Sequence, residues 1–103
     1  MRCQLVLQFR SAALCDIDAI AELEDCLTVQ LAGVAEVDGH DVGSGEVNIF
    51  IFTPDPIGTF SAIRPFLERA GLLDSAAVAY RPIDGGAYTT LWPEHSAEMF
   101  RVA

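Results

Sequence analysis

The chain contains no lysine. That absence removes a Schiff-base amine, a pyridoxal phosphate anchor and a phosphate-loop lysine from the chemistry open to it. All 6 basic residues are arginines, set against 15 acidic ones, and the net charge is −9. Neutralising phosphates takes a basic footprint, so nucleic acid is not an expected partner. Cysteine is scarce and odd in number: Cys3, Cys15 and Cys26, with no C-x-x-C spacing. Neither a disulfide framework nor a zinc knuckle follows. Free thiols in small core positions fit a reducing, cytoplasmic setting. Long apolar runs are missing too, so no membrane span is expected. The first apolar run is broken by Gln4, Gln8 and Arg10, and Leu14 is too large to precede a lipoprotein cleavage at Cys15. A signal peptide is therefore not expected.

What remains is an apolar chain of domain size. Its 103 residues suit a single domain, and 51% hydrophobic residues against 20% charged ones argue against disorder. Mean hydropathy is +0.33. A domain this small cannot hide all of that apolar surface, so part of it should face a partner or a ligand.

Periodicity places the elements. Residues 3–9 alternate as a strand, with Cys3, Leu5, Leu7 and Phe9 on one face and Gln4, Val6 and Gln8 on the other. Asp16 caps a helix reaching about Leu31, with Ile17, Ile20, Leu23, Leu27 and Leu31 inward and Asp18, Glu22, Glu24 and Asp25 outward. Gly33 closes it. Residues 34–38 read as a half-exposed strand, and Gly39–Gly45, rich in Gly, Asp and Ser, as a hairpin loop. Glu46–Thr53 is the strongest strand, apolar on both faces as a central strand should be. Asp55 and Pro56 open a second helix that Pro65 should kink and Gly71 should end. A strand over 76–82, a turn at Asp84-Gly85-Gly86 and a fifth strand over 87–92 follow. Residues 94–103 form a short helix or a frayed tail.

The strand–helix–strand pattern thus occurs twice, as in the split βαβ plan. Over residues 3–82 the layout resembles the ferredoxin-like βαββαβ fold, a two-layer α+β sandwich with both helices on one sheet face. The C-terminal strand and tail, 83–103, add to the same domain. The run from Asp38 through Gly43-Ser44-Gly45 to Ile51, with Asp55-Pro56 and a helix behind it, is similar to small bacterial proteins that carry no assigned activity. It lacks the metal-binding cysteine loops of copper chaperones and bacterial ferredoxins, and it lacks the acylphosphatase loop. Fold alone does not give function.

In that plan one sheet face has no helix over it. Gln4, Val6 and Gln8 fall there, joined on the third strand by Glu46, Asn48, Phe50 and Phe52, or by Ile49 and Ile51 if the parity is reversed. Burying a Phe or Ile is worth roughly 1.5–3 kcal/mol, so leaving several of them in water is unstable. Four covers are open: a second copy of the domain, giving a homodimer; a partner protein; a small ligand gripped by Gln4, Gln8, Asn48 and Arg81; or the chain's own tail, with Trp92 and Phe100. The densest polar set is Asp38, His40, Asp41, Ser44, Glu46 and Asn48. It is either plain hairpin chemistry or a metal or ligand site, with Asp38 and His40 on one side of a continuing strand. Gly43-Ser44-Gly45 could cradle a phosphate, though no helix opens behind it. His40 and His95, with Ser44, Ser96 or a cysteine, are the candidates for catalysis, and no motif joins them.

The expectation that emerges is a non-enzymatic interaction or regulatory domain without a cofactor. It would self-associate through its sheet face and engage a basic partner through its acidic helix surface, as a toxin-neutralising immunity protein does. The alternative is a small enzyme or ligand sensor using the open sheet face or the Gly39–Asn48 loop.

Overall fold

The computed structural model describes residues 2–10, 16–43, 45–94 and 100–102. Its strands are β1 (Cys3–Phe9), β2 (Glu36–Gly43), β3 (Glu46–Thr53), β4 (Ala76–Pro82) and β5 (Thr89–Trp92), and its helices are α1 (Ile17–Gln30) and α2 (Pro56–Arg69). A 3-10 turn, Leu73–Ser75, leads into β4. The strands form one five-stranded sheet in the order β2-β3-β1-β4-β5, with every neighbouring pair antiparallel. The fold is α+β, and β5 widens the expected four strands to five.

Local chemistry explains the helix ends. The Asp16 carboxylate accepts from the Ala19 amide at 2.8 Å and caps α1. Asp55 does the same for α2 through the Gly58 amide at 3.0 Å, with Pro56 in the first turn. Thr53 holds that corner from beneath: its hydroxyl accepts from the Asp55 amide and meets the buried Thr59 hydroxyl at 2.7 Å. At the other end of α2, Gly71 at φ 73° lets its amide reach the Glu68 carbonyl while the Leu72 amide reaches that of Leu67. This is a Schellman closure, and Leu72 is buried as its hydrophobic partner. The helix runs through Pro65, which sits on the exposed side, where a missing backbone hydrogen bond opens onto water.

The core lies between the helices and one sheet face. Leu5, Leu7 and Phe9 of β1 pair with Ile51, Ile49 and Val47 of β3, and all six are buried. Ile20, Leu23 and Leu27 of α1 and Phe60, Ile63 and Leu67 of α2 pack into the same cluster, so both helices cover one face. Ile17, expected inward, is exposed at the first turn of α1.

Three further expectations are corrected. The polar stretch read as a loop is the body of β2, whose hairpin closes where Gly43 pairs with Glu46 and Gly45 takes φ 76°. Its glycine, aspartate and histidine are tolerated because β2 is an edge strand, solvated along one side, while pairing to β3 sets its conformation. A register shift between Val37 and Gly39 interrupts the alternation, so Asp38 and His40 do not share a regular face. β5 begins at Thr89, two residues later than expected.

Candidate functional site

The parity of β1 and β3 puts Gln4, Val6 and Gln8 beside Phe52, Phe50 and Asn48 on the face away from the helices. Across β4 the same rows continue into Arg81, Ala79 and Ala77. Of the expected site residues, Gln4, Val6, Gln8, Asn48, Phe50 and Arg81 therefore share one face. Glu46 joins them at its rim by alternation.

That face is not bare. Val6, Ala79 and Phe100 form a second buried cluster, with Phe50, Ala77, Tyr88 and Val102 packed against it. Phe100 meets Tyr88 edge to face, with ring centres 4.9 Å apart. Gln8 and Asn48 are both buried and face each other in register, with Gln8 Nε2 donating to Asn48 Oδ1 at 3.0 Å. The same amide donates to the Arg101 carbonyl at 2.6 Å and ties the tail down. Residues 100–102 of the chain itself therefore cover part of this face, where Val6 and Ala79 are buried and Phe50 is partly buried. Trp92, the other candidate for this cover, packs on the helix side. Its ring lies 6.5 Å from Phe60 and beneath the Arg64 guanidinium, and its Nε1 donates to the Leu73 carbonyl.

The polar groups of the face mostly satisfy one another. Tyr88 donates to Gln4 Oε1 at 3.4 Å, and Arg81 stacks over the Tyr88 ring. Arg10 donates to Glu46 Oε1 at 3.1 Å, whereas Glu46 Oε2 is buried without a hydrogen bond. Gln8 thus bonds both Asn48 and the tail and anchors residues 100–102 to the sheet.

His40 is elsewhere. It pairs with Ile49, on the helix side of the sheet, and its Nδ1 lies 2.7 Å from Glu24 Oε1 of α1. The expected polar set is thus split: Asp41 and Asn48 pair across the β2–β3 ladder, Glu46 faces Arg10, and His40 joins β2 to α1. Among the described residues no group of three His, Cys, Asp or Glu side chains could hold a metal. Ser44, His95, Ser96 and Cys15 lie outside the described residues. Cys3 is buried and Cys26 partly buried, and both are free thiols. A broad groove of about 630 Å³, lined by Ser61, Arg64, Pro65, Glu68 and Arg69, runs along α2, on the helix side of the molecule.

A feature overlooked in the sequence is the segregation of charge. No arginine lies between Arg10 and Arg64, whereas ten of the fifteen acids do. That stretch builds α1, β2 and β3, and β2 is the edge of the sheet beside α1. Asp18, Glu22 and Asp25 form an exposed ridge along α1 at spacings of four and three. Asp38 and Asp41 are exposed on β2. Two acids of the stretch have arginine partners from outside it, Glu36 with Arg2 and Glu46 with Arg10. The arginine-free interval was visible in the sequence, and the fold places its two most exposed acidic elements, α1 and β2, next to each other.

Set against known protein families, curated proteins and solved structures, the chain matches none significantly.

Proposed function

We propose that this protein is a non-enzymatic interaction domain that engages a basic protein through the side formed by α1 and β2. The observation that carries the proposal is the charge segregation: Asp18, Glu22 and Asp25 are exposed on α1, and Asp38 and Asp41 on the neighbouring edge strand β2, within a stretch that contains no arginine. A field of one sign steers an oppositely charged partner and repels a like one. The strand order β2-β3-β1-β4, with helices after the first and third strands, supports a ferredoxin-like βαββαβ core extended by β5. A toxin-neutralising role is one form the interaction would take.

The reading is tested with a fluorescent peptide of alternating arginine and valine, followed by anisotropy. Binding should weaken steeply as salt rises. The double charge reversal Glu22→Arg with Asp25→Arg should weaken it by roughly tenfold or more, about 1.4 kcal/mol. Both positions are exposed, so the fold should survive. Equal affinity for the reversed variant would refute the proposal.

A further inference from the structure

The acidic side also contains an open sheet edge. β2 is eight residues long and lies last in the sheet order. Among the described residues, no backbone hydrogen bond outside its ladder with β3 involves Glu36–Gly43. The opposite edge, β5, has four residues and offers little to pair with. Proteins blunt exposed edges by shortness, by bulges or by charge. Here β5 is blunted by shortness. β2 carries a register shift near Asp38 and exposed acids at Asp38 and Asp41, while Glu36 is paired with Arg2. Charge of a single sign blocks only partners of that sign. A second copy pairing through β2 would bring these acids against themselves, whereas a basic strand would meet them favourably.

We propose that the outer edge of β2 receives an extended basic segment of a partner protein by β-strand addition. This rests on the reading of α1 and β2 as the binding side and specifies how that side is used. Beyond the register shift, Gly39–Gly43 is the regular stretch, about 17 Å at ~3.3 Å per residue. The incoming backbone pairs with the unused amides and carbonyls there, and specificity comes from alternate side chains. Arginines on one face of the added strand meet Asp41, which pairs across from Asn48 away from the helices. The opposite face carries residues with apolar bodies to Val42, which is 55% exposed on the helix side. The His40–Glu24 contact ties β2 to α1.

The test is hydrogen exchange of the β2 amides with the arginine–valine peptide at about ten times its Kd. Outward-pointing amides, every second one along Gly39–Gly43, should exchange about tenfold more slowly, because protection follows the bound fraction. The same peptide N-methylated on the residues that pair with β2 keeps its charge and should lose at least tenfold in affinity. Binding without β2 protection, or equal binding of the N-methylated peptide, would overturn strand addition and leave the acidic-side reading standing. No binding of either peptide at low salt would overturn both. Protection of β2 that grows with protein concentration in the absence of peptide would assign the edge to a second copy and overturn the proposal.

Discussion

The buried Gln8–Asn48 pair invites a double-mutant cycle. Gln8→Met removes the donor that serves both Asn48 and the Arg101 carbonyl, and it leaves the Asn48 amide, 1% exposed, without its partner. Stranding a buried polar group costs about 1–3 kcal/mol, so this change should destabilise by about 2 kcal/mol. Asn48→Leu leaves Gln8 Nε2 its bond to the Arg101 carbonyl, so it loses one hydrogen bond and should cost about 1 kcal/mol. In the double variant neither group is stranded. The remaining losses are the tail hydrogen bond and imperfect packing of leucine, together about 1 kcal/mol. The expected coupling is therefore about 2 kcal/mol, with the double variant more stable than Gln8→Met alone. Urea unfolding followed by Trp92 fluorescence measures it. Trp92 is the one tryptophan and packs on the helix side, so it reports global unfolding without touching the pair. Additive single costs would refute the view that these amides satisfy each other in a closed face.

Three other outcomes follow from the same structure. Phe100→Ala removes the ring that covers Val6 and Ala79; it should cost about 2–3 kcal/mol and raise the binding of an apolar dye to the newly opened face. Gly71→Ala should cost about 1 kcal/mol in thermal or urea unfolding, because the position sits at φ 73° although a Cβ there would touch nothing within 4 Å. Asp55→Ala loses the α2 cap and should cost about 1 kcal/mol by the same assays, with Asp55→Asn recovering most of it.

How far the sequence carried the account depended on what each residue's signal competed with. α1 and α2 were legible at both ends because caps and glycines act locally: Asp16, Asp55 and Gly71 do the same work in any surroundings. The face of β1 was legible because Leu5, Leu7 and Phe9 alternate cleanly with Gln4 and Gln8. β2 was not legible. Glycine, aspartate and histidine speak for a loop, and only the ladder to β3 makes them a strand. The tail's contact with the sheet could not be read from the sequence, since the bond between Gln8 and the Arg101 carbonyl spans 93 positions and leaves no local pattern. The acids of α1 read one by one as a solvated helix face. Their meaning changes when the fold places β2, which carries exposed Asp38 and Asp41, next to α1.

The most direct test of that side is an NMR titration of the isotope-labelled protein with the arginine–valine peptide at low salt. The account predicts that amide shifts concentrate between Asp18 and Asp25 of α1 and along Asp38–Gly43 of β2, and that they fade as salt rises. Shifts centred instead on Val6, Phe50 and Tyr88, or no shifts at any peptide concentration, would contradict it.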